Sequence, residues 1–168
     1  PAPSAVDTRT PSSVRRAREA ERRQLTVLVC GCEAFESEPY LALDSEDQAD
    51  VLRAFLETCE KAVQQFGGTV VQSTNTGVVA CFGFPLAYED AAERAARSGL
   101  AILEGMKIPG DLRRFADRLH LDPWVGIHTG AAIVESKADV VSLVGEARNV
   151  AVRLEDVALA GQVIVVDA

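Results

Sequence analysis

Hydrophobic and polar positions divide the chain into short apolar runs and longer amphipathic stretches. Residues 25–30 are apolar almost throughout, which predicts a strand that is buried on both faces. Apolar residues then recur at helical spacing over residues 47–66, after the candidate N-caps Asp44 and Ser45, and predict an amphipathic helix. The residues expected to face the core from this helix are Val51, Leu52, Phe55, Leu56, Cys59, Ala62, Val63 and Phe66.

The rest of the chain continues this succession of strands and helices. The Gly67-Gly68 pair ends the first helix, and two apolar runs joined by the turn-forming sequence STNTG predict a β-hairpin. A second helix is expected at residues 91–106, and a third from residue 146 to about residue 159, before Gly161. The inward positions of the second helix are expected to be Ala92, Ala95, Ala96, Leu100 and Leu103. The predicted strands cover residues 25–30, 69–72, 78–82, 119–127, 131–134, 140–144 and 163–166.

This order of elements predicts an α/β (α+β) fold with a ferredoxin-like βαββαβ core and an added ββαβ extension. A chain of 168 residues is long enough for one domain that buries roughly 68–70% of its unfolded surface. Hydrophobic residues make up 48% and charged residues 25% of the chain, which are ordinary values for a globular protein. We therefore expect a single folded domain over residues 21–168.

The N-terminal segment has a different composition. Residues 1–13 are rich in Pro, Ser and Thr and offer little to bury, which predicts a flexible linker. Residues 14–24 are polar and rich in Arg, and predict a solvated connector helix, with a basic membrane-surface or coiled-coil arm as the alternative. We expect residues 1–20 to connect the domain to an upstream neighbour, because the chain starts at Pro1 without a methionine.

Charge and cysteine content exclude several classes of function. The formal net charge of −8 argues against a nucleic-acid partner, because such binding needs Lys and Arg to neutralise phosphates. All four cysteines lie within apolar runs, which predicts buried thiols and a reducing compartment. No stretch approaches 18 consecutive apolar residues, so we expect no membrane span and a cytoplasmic location.

Five segments resemble, in order and spacing, the class III adenylyl and guanylyl cyclase domains. The run RRQLTVLVCGCEAF resembles their opening strand, and GGTVVQSTNTGVVACFGFP resembles their central hairpin. AYEDAAERAARSGLAIL resembles the helix that follows, and WVGIHTGAAIV resembles the next hairpin. LVGEARNVAVRLEDVALAGQVIV resembles the helix that carries the catalytic Asn and Arg of the family. The resemblance covers residues 21–168 and implies a head-to-tail dimer with nucleotide between the two domains.

The resemblance also locates the metal-binding positions, and neither holds an acid. Members of the family bind two divalent ions with two aspartates, which correspond here to Gly31 and Thr76. Mg²⁺ prefers carboxylate oxygens, whereas glycine offers only backbone and threonine a neutral hydroxyl. If each loss equals that of one oxyanion-hole donor, the rate falls by about 10⁴–10⁶. A shifted metal site that uses Glu33, with Glu36 nearby, is the alternative.

Other positions of the family pattern are partly retained. Asn149 and Arg153, four residues apart on the third predicted helix, match the pair that stabilises the transition state in the family. A purely structural role, in which both side chains bond to a neighbouring loop or chain, is equally open. The residues that read the base in adenylyl cyclases correspond to Gln72 and Ser142. Neither position holds the lysine or the aspartate that these relatives place there.

Three functions follow from these observations. The leading hypothesis is a catalytically inactive cyclase-like domain that serves as a dimerisation or regulatory module in a larger signalling protein, with a Ser/Thr kinase or a regulator ATPase as its neighbour. The second is a nucleotide sensor that binds ATP through Asn149 and Arg153 without turnover. The third is a weak cyclase that uses Glu33 as a substitute acid. No cofactor is expected under the first hypothesis, and ATP with Mg²⁺ or Mn²⁺ belongs only to a residual family function.

Overall fold

The computed structural model describes residues 20–107, 114–115, 118–138 and 140–166. The strands in these ranges are β1 (Ala20–Gly31), β2 (Thr69–Ser73), β3 (Gly77–Phe82), β4 (Trp124–Lys137), β5 (Val140–Val144) and β6 (Val163–Val166). The helices are α1 (Glu38–Leu41), α2 (Ser45–Gln65), α3 (Ala91–Lys107) and α4 (Glu146–Arg153), with 3₁₀ turns at Glu33–Glu36 and Leu154–Asp156.

The strands form a sheet in the order β2-β3-β1-β4-β5, and β6 also pairs with β4. β1 lies between β3 and β4 and is antiparallel to both. The edge of β4 that does not face β1 pairs with two strands. The first half of β4 pairs in parallel with β6, and its second half pairs antiparallel with β5. The succession β1-α2-β2-β3-α3-β4 confirms the predicted βαββαβ core, and β5, α4 and β6 extend it.

Helices cover the two faces of this sheet. On one face, α2 and α3 pack against inward side chains of β1, β3 and β4, with Phe55 and Ile102 fully buried. On the opposite face, Ala147 and Ala151 of α4 pack against Val27 and its neighbours. The carboxylate of Asp44 accepts a hydrogen bond from the backbone amide of Asp47 at 2.8 Å, which confirms the predicted N-cap of α2.

Two predictions for the first strand and the N-terminal segment are corrected by the structure. Residues 20–24, which were expected to be helical, are the first residues of β1. They are extended because they pair with residues 131–135 of β4, from Ala20 opposite Glu135 to Gln24 opposite Ala131. Pairing along the long strand β4 therefore overrides local helix propensity. The linker predicted for residues 1–13 lies outside the described residues, as does the connector up to residue 19.

Four further expectations are wrong in detail. The residues predicted as a hairpin around Gly130 form one continuous strand, because Gly130 pairs with Leu25 of β1 instead of turning. Residues 119–123, expected to begin it, precede this strand. Because residues 131–134 belong to β4 and are not a separate strand, the extension is βαβ rather than ββαβ. α4 ends at Arg153 and passes into a 3₁₀ turn, short of the predicted residue 159. Leu100 of α3 was expected to face the core, but 60% of its surface is exposed.

No helix in the described part of the chain is both long and apolar enough to cross a membrane.

Candidate functional site

The two positions that correspond to metal-binding aspartates lie side by side at one end of the sheet. Gly31, the last residue of β1, is paired with Gly77 of β3 on one side and with Trp124 of β4 on the other. Directly after Gly31, the backbone amide of Cys32 donates a hydrogen bond to the carbonyl oxygen of Thr76 at 3.0 Å. The sequence-predicted pair, Gly31 and Thr76, is therefore brought together by backbone contacts.

The turn between β2 and β3 is fixed by the side chain of Thr74. Its hydroxyl oxygen Oγ1 accepts hydrogen bonds from the amides of Gly77 at 3.0 Å and Thr76 at 3.3 Å. The amide of Thr74 donates to the carbonyl of Gly77 at 2.8 Å. A Cβ atom at Gly77 would collide with the backbone carbonyl of Cys30, so this position requires glycine. These contacts position the backbone of residue 76, and the Thr76 hydroxyl adds a long hydrogen bond of 3.5 Å to Oγ1 of Thr74.

A cavity of about 210 Å³ opens between the ends of these strands. Its walls are partly apolar, with Trp124 and Val152 among them, and partly polar. The polar and charged side chains that line it are Glu33, Glu36, Gln72, Thr74, Thr76, Arg148 and Glu155. Both Glu33 and Glu36, the acids considered as substitutes for the missing aspartates, are exposed. They therefore reach the cavity from its solvent side.

The space next to Gly31 is filled by an aromatic ring. A Cβ atom built on Gly31 would lie 2.6 Å from both Nε1 and Cζ2 of the Trp124 indole and 2.7 Å from its Cε2. Only 6% of the surface of Trp124 is exposed. The backbone of Gly31 does not have a positive φ. Glycine is thus required here for lack of space and not for its conformation.

These residues do not fit a pair of divalent metal ions. Such ions need carboxylate or other oxygen ligands in close array, and positions 31 and 76 hold glycine and threonine. Within the described ranges, no group of three or more His, Cys, Asp or Glu side chains is placed to hold a metal ion. The acids at the cavity, Glu33, Glu36 and Glu155, do not make up such a group.

The residues that correspond to base-reading positions lie on a second cavity of about 380 Å³, between β2 and β5. Gln72, Ser142 and Asn149 all line it, so the structure brings three of the four predicted nucleotide contacts together. Gln72 is engaged within the chain, because its Oε1 accepts a hydrogen bond from the guanidinium of Arg148 at 3.0 Å. Arg148 was not among the site residues predicted from the sequence. Arg148 directly precedes Asn149 on α4, and this position in the sequence could have identified it as a site residue.

Asn149 and Arg153 both lie on α4 with exposed side chains. Arg153 lines neither of the two cavities. Of this pair, Asn149 lines the cavity that Gln72 and Ser142 share.

The cysteines beneath the site are core residues, as predicted. All four are buried free thiols. The Sγ atom of Cys59 on α2 is 3.9 Å from that of Cys30 on β1, and it donates a weak hydrogen bond. This hydrogen bond and burial raise the pKa of the Cys30 thiol well above its usual value. Burial also raises the pKa of Cys32 to about 11. Thiols with raised pKa are poor nucleophiles, so these side chains serve packing.

The known proteins to which this chain is similar include cyclases. The adenylyl cyclase CyaB from P. aeruginosa superposes with a TM-score of 0.78 and 27% identity, over 88% of this chain and 79% of that one. Adenylate cyclase 1 of Rhizobium meliloti is 30% identical over 114 residues, which are 66% of this chain and 17% of the relative. A guanylyl cyclase domain of the RhoGC fusion protein from Blastocladiella emersonii, described as a non-canonical dimer, has a TM-score of 0.76 and 20% identity, over 87% of this chain and 81% of that one.

The fold and the similar proteins both agree with the five sequence segments that resemble class III cyclase domains. The described chain is a cyclase-like domain of the class III adenylyl and guanylyl cyclase type. No family model matches the chain. The chain spans between 11% and 17% of the length of the curated relatives that it matches.

Proposed function

We propose that this domain is a catalytically inactive cyclase-like module that acts through its contacts with other domains. One observation carries the proposal: positions 31 and 76 adjoin each other at the end of the sheet, yet neither supplies a carboxylate. Cyclisation requires the ribose 3′ hydroxyl to attack the α-phosphorus while charge on the phosphates is neutralised, which metal ions do in this class of reaction. A cleft built without their ligands lacks that means of catalysis.

We further propose that the module dimerises or regulates a larger protein. Cyclase domains form dimers, as one of the similar solved domains does, so a second copy or a related cyclase-like domain is the proposed partner. The short matches to long relatives are consistent with a domain that accompanies others. A Ser/Thr kinase or a regulator ATPase is the proposed neighbour, in the cytoplasm. Light scattering of the purified domain tests the assembly, and a strict monomer at high concentration would contradict it.

The test of inactivity is a titration of the domain with ATP or GTP and with Mg²⁺ or Mn²⁺, in which binding and cyclic product are followed together. We expect no product above a control without protein. Product at any rate above this control would refute the proposal. The matched positive control is an active cyclase domain under the same conditions, because it shows that the assay would detect turnover.

A nucleotide sensor is the second candidate, and one observation favours it. Gln72, Ser142 and Asn149 line one cavity of about 380 Å³, which is within the usual range for a small-molecule site. Binding of ATP without product in the same titration, with loss of binding in Asn149→Ala, would support this function. If calorimetry detects no ATP or GTP, with or without the metal ion, the sensor is excluded.

The weak cyclase remains as a third candidate, because Glu33 lines the cavity beside Gly31 and Thr76. Its test is Glu33→Ala in the same assay. Any measured turnover that is unchanged in this variant would exclude Glu33 as a substitute acid.

A further inference from the structure

We infer that Trp124 has taken over the place of the first metal-binding side chain, so that Gly31 and Trp124 form a matched packing pair. This inference deepens the proposed function, since it concerns the same cleft, and it names the residue that replaces the metal site. It rests on geometry that is independent of activity: the strand register and the position of the indole ring.

The strand register fixes the backbones of the two residues next to each other. Gly31 and Trp124 are partners in the antiparallel ladder between β1 and β4, and Gly31 is also paired with Gly77 on its other side. The backbone of Gly31 is therefore held between two strands and is not free to move away from the ring. A side chain added at residue 31 could be accommodated only if the indole moved.

The ring itself occupies the volume that such a side chain needs. Three of its atoms lie 2.6–2.7 Å from the Cβ position of residue 31, whereas carbon atoms in ordinary contact are about 3.5–4.0 Å apart. Trp124 is 6% exposed and belongs to the apolar cluster that includes Val29 and Val79. Movement of the ring would therefore open a gap in this cluster or push the ring into the cavity.

Two consequences follow for the cleft. An aspartate at residue 31 would meet the indole before its carboxylate reached the cavity. Two features therefore prevent metal binding here: the absence of the acid and the packing of the ring. Gly31 is also obligatory in this domain for as long as Trp124 is present, although its backbone conformation is open to other residues.

The test is a double-mutant cycle with Gly31→Ala and Trp124→Leu, read by thermal unfolding. Overpacking predicts that Gly31→Ala lowers Tm by about 2–12 °C in the wild-type background. In the Trp124→Leu background the same change should have little effect or raise Tm, because alanine is otherwise more stable than glycine in a strand. An equal fall in both backgrounds would overturn the inference.

Gly126→Ala is the matched control on the same strand as Trp124. The three atoms nearest to its added Cβ, the first of them the Cβ of Leu154 at 2.9 Å, belong to Leu154 and Ala151 and not to the indole. We expect this substitution to lower Tm by the same amount with Trp124 or with leucine at position 124. If Trp124→Leu also reduced the fall in Tm caused by Gly126→Ala, the coupling between residues 31 and 124 would not be specific. That result would also overturn the inference.

Fluorescence provides a second measurement that does not depend on the folding of any Trp124 variant. Trp124 is the only tryptophan in the chain, so its emission reports the surroundings of this ring alone. Gly31→Ala should shift the emission to longer wavelength and increase quenching by acrylamide, and Gly126→Ala should not. An unchanged spectrum in folded Gly31→Ala would refute the inference. Cyclase activity of the wild-type domain would refute the proposed function instead and would leave these results unaffected.

Discussion

Truncation of Phe55 to alanine tests how the segment after β1 is held beside the cleft. Phe55 of α2 is fully buried, and its ring meets that of Phe35 edge to face, with centroids 5.0 Å apart. Phe35 in turn packs edge to face on Tyr40 at 5.1 Å. The three rings hold in place the segment that contains Glu33 and Glu36, which line the cavity. Loss of a buried Phe side chain costs about 3–5 kcal/mol, which corresponds to a fall in Tm of about 6–20 °C for a domain of this size.

The assay is thermal unfolding of purified Phe55→Ala, followed by circular dichroism. The control is Leu100→Ala on α3, which shortens an apolar side chain that is 60% exposed and should change stability by no more than about 0.5 kcal/mol. A fall of less than about 2 °C in Phe55→Ala, or an equal fall in both variants, would show that the aromatic cluster does not stabilise the domain as its burial indicates.

Three further predictions follow from named contacts. Asp44→Ala should lower stability by about 1 kcal/mol through loss of the N-cap of α2, measured by denaturant unfolding; an unchanged midpoint would contradict the cap. The hydrogen bond from Arg94 lowers the pKa of Asp90. The stability that this pair contributes is thus present at neutral pH and is lost as pH falls through the lowered pKa, below about 4. Asp90→Asn should differ from wild type only above that pH, and a difference that persists at lower pH would contradict this assignment. Restoring both acids by Gly31→Asp with Thr76→Asp should not create a site for Mn²⁺ in calorimetry, because residue 31 has no room for the side chain; Mn²⁺ binding would contradict this.

The hydrophobic pattern predicted those parts of the fold in which local spacing and tertiary packing agree. In α2, the apolar positions at helical spacing are the ones that face the core, with Val51, Phe55 and Cys59 fully buried. α3 was harder to predict, because alanines and small residues mark its face only weakly. Ser98 and Gly99 are buried there, whereas Leu100 points outward. Close approach of the helix to the sheet explains this choice, since a Cβ at Gly99 would lie 3.1 Å from Val125.

Strand pairing over long sequence separations explains the elements that the sequence analysis placed wrongly. Gly130 is of a residue type that is typical of turns, yet it lies within β4 opposite Leu25. A Cβ at this position would lie 3.2 Å from Nε2 of His128, so glycine makes room for a buried imidazole here. His128 Nδ1 donates to the carbonyl of Val166 at 2.9 Å and so ties β4 to β6. No local pattern distinguishes this use of glycine from a turn.

Only part of the candidate site could be predicted, because some of its contacts join elements that are distant along the chain. The adjacency of positions 31 and 76 followed from the resemblance to cyclase domains, and the structure places them together. Neither the indole of Trp124 beside Gly31 nor the hydrogen bond from Arg148 to Gln72 could be read from the sequence. Both depend on the register and orientation of elements that are distant along the chain, 93 residues apart for the first pair and 76 for the second.

The backbone contacts that join the two strand ends at the cleft do not depend on the side chains of residues 31 and 76. The amide of Cys32 and the carbonyl of Thr76 join the two strand ends, and Gly77 fits against the carbonyl of Cys30 because it has no side chain. None of these contacts involves a side chain at residue 31 or 76, so the fold places no demand on a carboxylate at either position. A metal-binding acid is retained only if the reaction requires it. Likeness of fold to cyclases therefore carries no information about turnover in this domain, and the proposal of inactivity rests on the residues at the two strand ends.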